Sequence, residues 1–347
     1  MIDLENYKTQ GEPDQRERGY IWHTAIGLQK VDGLTTSDYL IETANKNING
    51  DITLEEARKL VEDYYVAKPL TADDKTRTDE ADIVSARVSQ ILAEKTFSFS
   101  PAEYIAIHRR LFEGIYKFAG KIRDYNISKN EWVLNGETVY YASAGSIKDT
   151  LDYDFAQEKK FSYKGLSTAG TAENIAKFTS GLWQIHAFGE GNTRTTAIFI
   201  IKYLRTFGFD VTNDIFAENA WYFRNALVRA NYNDLKLEIH ATQEYLDCFF
   251  ANLLLGANNV LKNRDLRVNL IANDTVNDTL NDTVKLSASQ QKTLTAIKKD
   301  PHATAQEISK QINISEITVK RAFGALKAAG LIERVGSDKT GHWVVQK

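Results

Sequence analysis

His186-Ala187-Phe188-Gly189-Glu190-Gly191-Asn192-Thr193-Arg194 stands between two helical patterns, and its reading decides the fold. Upstream, Ile175, Phe178, Leu182 and Ile185 recur at the spacing of one helix face. Downstream, Thr195 to Leu204 is apolar on nearly all sides, as in a helix buried at the centre of a domain. Gly189 and Gly191 allow turn geometry and close approach to a ligand. The first N–H groups of the second helix have no partner within it, and the helix dipole adds positive charge there. An anion site follows, with Asn192, Thr193 and Arg194 placed to cradle a phosphate. Glu190 is a hard oxygen ligand suited to magnesium between phosphates. His186, with an ordinary pKa near neutrality, suits removal of a proton from an attacking hydroxyl. The plainer reading is a helix–loop–helix corner with a capping Asn and a buried, satisfied His.

The loop resembles the motif of the Fic family, H-x-F-x-[D/E]-G-N-G-R-x-x-R between two helices. His186, Phe188, Glu190, Gly191, Asn192 and Arg194 stand at matching positions. The resemblance implies transfer of a nucleotide monophosphate, usually AMP from ATP, to a protein hydroxyl. His186 then corresponds to the general base and Glu190 to the magnesium ligand. Gly191, Asn192 and Arg194 correspond to the phosphate cradle, and Phe188 to the buried anchor of the loop. Two positions depart from the pattern. Thr193 replaces a Gly, and Ala197 stands where the family has its second Arg, which is associated with the γ-phosphate.

Around this centre the chain of 347 residues reads as four pieces. These are an N-terminal helical region over 1–95, a Fic-like domain over 96–256, a linker over 257–285 and a winged helix over 286–347. The fold class is mostly α. A hydrophobic content of 43% and a charged content of 26% describe an ordinary globular chain. The single cysteine, Cys248, excludes an internal disulfide and a Cys-based zinc site. No signal peptide and no membrane-length apolar run are visible, so a cytoplasmic protein is expected. Residues 285–347 hold 11 Lys and Arg against 5 Asp and Glu, whereas the rest holds 32 against 41. The terminal piece is therefore basic and the remainder acidic.

In the N-terminal region, Thr35 or Thr36 is expected to cap a helix that ends at Asn49-Gly50. Asp51 or Thr53 then starts another, from Leu54 to Tyr65. Leu28-x-x-x-Asp32-Gly33 is the nearest match to the family's inhibitory motif, [S/T]-x-x-x-E-[G/N]. It keeps a carboxylate and a Gly and loses the hydroxyl. Inhibition by Asp32 and simple helix packing both remain open. A helix from Asp79 to Glu94 and another beginning at Ser100-Pro101 follow, the latter with Ser100 as cap. His108 lies within that helix, as a surface or core residue.

Trp132-Val133-Leu134, Asn135-Gly136 and Thr138 to Tyr141 predict a β-hairpin with a two-residue turn. Its position resembles the target-docking flap of Fic proteins, where an extended target segment adds as a strand. A structural hairpin covering the core is the alternative. Beyond the motif, Asn219 to Leu227 reads as a helix. The resemblance places its Tyr222 and Asn225 at the base pocket, whereas its aromatic run Trp221-Tyr222-Phe223 is equally the composition of a core.

Three copies of Asn-Asp-Thr-x over 273–284 favour turns and mark the linker. In the last piece, Thr304 with Glu307 forms a capping box, and Ser315 caps a third helix carrying Val319, Phe323 and Leu326. Two strand-like runs follow. This resembles a winged helix, with Ser315, Thr318, Lys320, Arg321 and Lys327 on the helix and Lys339 on the wing facing DNA. A protein-docking winged helix is the alternative.

The expected activity is protein adenylyl transfer from ATP, with magnesium, to a Ser, Thr or Tyr hydroxyl of a target or of the chain itself. Two alternatives stand beside it. One is a DNA-binding regulator whose Fic-like domain senses a nucleotide; the other is a Fic enzyme moving a different phosphate-containing group.

Overall fold

A computed structural model describes residues 13–67, 77–209, 211, 214–268, 288–312, 314–328, 332–335 and 342–345. The chain divides into two compact units, 1–270 and 271–347.

The first unit is helical. Its helices are α1 (Pro13–Gly27), α2 (Asp38–Asn49), α3 (Leu54–Ala67), α4 (Thr78–Ala93), α5 (Pro101–Phe112), α6 (Ile147–Lys160), α7 (Thr168–Ile185), α8 (Asn192–Thr206), the single turn α9 (Ile215–Glu218), α10 (Ala220–Ala230) and α11 (Glu244–Leu255). Their starts follow local chemistry. Ser37, rather than Thr35 or Thr36, caps α2 by accepting from Leu40 N–H, and the left-handed Gly50 ends it. Thr53 and Glu56 form a reciprocal capping box at α3. Ser100 caps α5, with Pro101 in its first turn.

The mixed composition of α8 has a direct structural cause. Every residue from Asn192 to Leu204 is buried, because α8 runs through the middle of the unit against α4, α5 and α7. Phe199 meets Phe97, Phe99, Tyr104 and Phe155 there. A satellite core of Trp22, Leu40, Ala44, Ile48, Ala57, Val61 and Ala86 holds α1–α4 together.

The expected β-hairpin is not formed. Trp132–Leu134 is one 3₁₀ turn, and Glu131 N–H to Glu137 O (2.9 Å) closes it. Asn135 and Gly136 do take the positive φ values, 55° and 96°, that suit this dipeptide. The run Trp-Val-Leu does not alternate polar and apolar as a half-exposed strand requires. Instead Val133 and Leu134 wind inward and are fully buried. Residues 257–268, read as the start of a linker, belong to this unit: Val268 N–H donates to Val133 O at 2.9 Å, and Leu266 is buried. The Asn-Asp-Thr repeat lies outside the described residues.

The second unit contains α12 (Ala288–Lys299), α13 (Ala305–Ile312), α14 (Glu316–Ala328), β1 (Ile332–Val335) and β2 (His342–Val345). The strands pair antiparallel, Ile332 opposite Val345 and Val335 opposite His342. Thr304 and Glu307 form the expected capping box, and Ser315 accepts from Thr318 N–H. Leu294, Ile297, Ile308, Val319, Leu326, Ile332 and Trp343 make the core. The order of three helices and a two-stranded wing is that of a winged helix. Among the described residues no helix is long and apolar enough to cross a membrane.

Candidate active site

Helix α7 ends at His186, which adopts a left-handed conformation (φ 50°) and donates its N–H to Trp183 O. Six residues later α8 begins at Asn192, after Gly191 at φ 77°, with no side chain capping it. Space requires the second glycine of the loop: a Cβ on Gly191 would lie 2.4 Å from the Phe112 ring, whereas one on Gly189 would meet the movable hydroxyl of the exposed Tyr125 at 2.6 Å.

Contacts from Asn192, His108 and Arg123 hold the loop in this shape. Asn192 Oδ1 accepts from Phe188 N–H (3.0 Å), and its Nδ2 donates to Phe188 O (2.8 Å). Phe188 is fully buried and stacks on His108, with ring centres 3.7 Å apart. His108 Nδ1 accepts from Gly120 N–H at 2.9 Å, so its proton sits on Nε2 and is donated to Glu190 O at 3.0 Å. Burial holds the His108 pKa down to about 4, which keeps this neutral tautomer. Arg123, itself buried, donates to His186 O and Tyr125 O, and its own N–H donates to Ala187 O.

The His186 ring is nine-tenths buried, between Tyr141 (centres 4.1 Å apart) and Trp183 (5.4 Å). Its Nδ1 is sealed from solvent without a hydrogen-bond partner among the described residues. Burial, followed by the positive charges of Lys129, Arg224 and Arg123, holds its pKa well below the ordinary value. The imidazole is therefore neutral near pH 7. Tyr141 donates to Glu131 Oε1 (3.1 Å), and Glu131, fully buried, pairs with Arg224 at 2.7 Å. A chain of contacts thus runs from Arg224 to the face of the imidazole.

Several residues read as ligand contacts have side chains committed elsewhere. Arg194 is completely buried, and its guanidinium is held by protein groups. It lies 2.7 Å from Asp32 through Nε, donates to Glu80 at 2.7 Å and to Gln29 at 3.0 Å, and stands over the Phe112 ring. Burial works against its charge, but Asp32, Tyr116 and Glu80 outweigh that and raise its pKa. The Asn192 side chain locks the loop, and Thr193 Oγ1 accepts from Trp183 Nε1 at 3.0 Å. What Asn192, Thr193 and Arg194 offer a ligand is backbone N–H at the start of α8. Val133 and Leu134 are core residues, so of the three docking residues only Trp132 is partly exposed, beneath Arg267. Tyr222 and Asn225 are buried on α10, and Asn225 Nδ2 donates to Asn263 Oδ1 at 2.8 Å. Both side chains are packed in the core of the unit.

Glu190 remains partly exposed, and its carboxylate is paired with the ammonium of Lys129. Among the described residues no group of three or more His, Cys, Asp or Glu is placed to hold a metal. A single carboxylate beside a phosphate site does fit magnesium, which keeps most of its waters and is held by one or two carboxylates plus substrate phosphates.

Sequence reasoning missed Arg123, Lys129, Glu80 and Glu131, and read His108 as a surface or core residue without its part in holding the loop. For His108 a signal existed: it lies one turn from Tyr104 and from Phe112, on the buried face of α5. For the others, no local pattern marks the partner.

Residues 98–204 match the family model of the Fic/DOC family, and residues 286–333 match that of winged helix-turn-helix DNA-binding domains. The chain carries a Fic/DOC domain followed by a winged helix-turn-helix domain. The Fic/DOC match ends within α8 and contains the whole loop. Over 108 residues the chain is 29% identical to protein adenylyltransferase VbhT of Bartonella schoenbuchensis, covering 31% of this chain and 21% of that protein. It spans only about a fifth of that relative's length. It is 24% identical to the probable protein adenylyltransferase y4lH of Sinorhizobium fredii over 165 residues, covering 47% of this chain and 81% of that one. Among solved structures, it is similar to BepC of Bartonella tribocorum with bound AMPPNP, at 22% identity and a TM-score of 0.39, covering 49% of this chain and 81% of that one. It is also similar to a Fic family protein from Desulfovibrio desulfuricans, at 12% identity and a TM-score of 0.42, covering 99% and 89%.

Proposed function

We propose that the Fic/DOC domain transfers AMP from ATP to a hydroxyl of a protein, its own chain included, and that the winged helix binds DNA. One observation carries the transferase reading: a neutral, buried imidazole stands at the start of a glycine loop that leads into a helix with no side-chain cap. His186 supplies the base, and the free N–H groups at the start of α8 supply the anion site. The names of the two relatives and the AMPPNP held by BepC support the choice of an adenine nucleotide as donor.

In this mechanism the acceptor hydroxyl meets the imidazole of His186 and loses its proton to it. The hydroxyl oxygen forms a bond to the α-phosphorus as the bond to the pyrophosphate oxygen breaks. The N–H groups of Asn192, Thr193 and Arg194 hold the developing negative charge. Glu190 would hold magnesium, which neutralises phosphate charge when bound. Burial, and after it the positive charges of Lys129, Arg224 and Arg123, lowers the pKa of His186, and negative phosphates beside it act against the share due to those charges.

A second reading rests on Arg194 and Ala197. The one arginine of the loop is engaged by Asp32 and Glu80, and Ala197 is buried where the family has another. A domain so built binds a nucleotide with less grip on the terminal phosphate and serves a DNA-binding regulator as a sensor. Transfer of another phosphate-containing group is the remaining variant.

Incubation with α- and γ-labelled ATP and magnesium separates these readings, with His186→Ala beside the wild type. Label from the α position alone, lost in His186→Ala, supports AMP transfer. Label from γ alone means phosphate transfer. Nucleotide binding without label from either position overturns the transferase reading in favour of the sensor.

A further inference from the structure

Among the cations described around His186 and Glu190, Lys129 stands in an exchangeable position. Arg123 is buried and spends its donors on backbone carbonyls. Arg194 is buried against Asp32, Glu80 and Gln29. Arg224 is paired with the buried Glu131. Turning Arg194 or Arg224 toward a ligand would leave a buried carboxylate uncompensated, and turning Arg123 would leave backbone carbonyls without their donors, both unfavourable. Lys129 differs. Its side chain is 28% exposed, its backbone N–H is fixed by Thr138 Oγ1, and its ammonium pairs with Glu190. It therefore sits on the one carboxylate that the proposed reaction needs for a divalent ion.

We propose that Lys129 is the cation that binds the terminal phosphates of the donor, exchanging Glu190 for them when a divalent metal ion takes the carboxylate. This rests on the transferase or nucleotide-binding reading above. A divalent ion on Glu190 repels the ammonium, and the flexible four-carbon stem lets the ammonium move a few ångströms with its backbone held. The phosphates that share the metal ion are the nearest new anions. Lys129 thereby supplies from the segment ahead of the 132–134 turn the charge that Ala197 cannot supply from α8. In the absence of donor it also shields Glu190 from idle metal binding.

The test uses the full chain in a His186→Ala background, which prevents turnover. Binding of ATP and of AMP with magnesium is measured by calorimetry, and Mn²⁺ binding without nucleotide by electron paramagnetic resonance. Lys129→Gln is expected to weaken ATP about tenfold, the worth of one charge-assisted hydrogen bond, and to leave AMP unchanged. It is also expected to tighten Mn²⁺, because the competing ammonium is gone. Lys129→Arg is expected to keep ATP binding. Equal weakening of ATP and AMP, or no change in either, overturns the assignment, as does unchanged Mn²⁺ affinity. If wild-type and His186→Ala chains bind no ATP at all, the nucleotide reading itself fails; if they bind ATP and Lys129→Gln binds it equally, only the role of Lys129 fails.

Discussion

Asp32 Oδ2 lies 2.7 Å from Nε of Arg194, joining the 3₁₀ turn that follows α1 to the first turn of α8. The contact is an ion pair without the angle of a hydrogen bond, whereas Glu80 accepts from the same guanidinium in good geometry. Glu80 therefore remains to neutralise Arg194 if Asp32 is changed. Asp32→Asn is expected to destabilise the chain by about 1–3 kcal/mol, less than the loss of a sole buried partner. Chemical denaturation measures this. Self-labelling by ATP is expected not to rise, since the guanidinium stays held by Glu80 and Gln29. A marked rise would show that the carboxylate restrains the loop, as the Asp32-Gly33 resemblance allows.

Gly191 combines two constraints that a substitution cannot escape together. Its φ is 77°, and an added Cβ would meet the Phe112 ring at 2.4 Å. Gly191→Ala is expected to cost roughly 2–4 kcal/mol from backbone strain plus overpacking. Phe112→Leu in the same chain removes the clash and leaves the strain, so it should restore only part of the loss. Full restoration in thermal melts would mean that φ contributes nothing, and no restoration that Phe112 does not set the limit.

The two buried histidines give stability a definite pH dependence. Burial lowers the pKa of His108 to about 4, against 6.5 for the unfolded chain. Between these values the unfolded state binds a proton that the folded state does not, so stability falls as pH falls. The contribution of His108 is largest above pH 6.5 and is lost by pH 4, about 3 kcal/mol in all. His186, also held well below its ordinary value, adds loss of the same sign. His108→Gln should reduce the steepness of stability against pH between 4 and 6.5 by about one proton. An unchanged slope would mean that His108 titrates normally in the fold.

How far the sequence was readable follows from the range of each interaction. The loop from His186 to Arg194, the caps at Ser100 and Thr304 and the winged-helix order are local patterns, spaced within a few turns of chain. They appear where the spacing places them. The side-chain partners of Arg194, Gln29 and Glu80, lie 165 and 114 residues away, beyond any local pattern. Nothing in the neighbourhood of a loop arginine says whether its counter-charge is a phosphate or a distant carboxylate. The flap failed for a related reason. Asn135-Gly136 makes its turn as expected, but Val133 pairs with Val268 across the unit, and that partner decides that the segment winds inward. Tyr222 and Asn225 share this fate, since the same aromatic composition suits a base pocket and a core.

In the second unit, α14 presents Lys320, Arg321 and Lys327 to solvent, with Ser315 and Thr318 at its start. Lys339 lies outside the described residues. If this helix enters the major groove, the three cations are not equal. Lys320 already pairs with Glu316 at 2.8 Å on an exposed face, a contact of little strength that still lowers its net attraction for phosphate. Arg321 and Lys327 belong to no ion pair found among the described residues. The double variant Arg321→Ala, Lys327→Ala is therefore expected to reduce the dependence of log affinity on log salt by about 2, roughly 0.9 per phosphate contact. Lys320→Ala should change it by less than one. Affinity is read by fluorescence anisotropy on a random duplex across a salt series. A wild-type chain whose binding does not weaken with salt does not hold phosphates, and its winged helix then docks a protein instead.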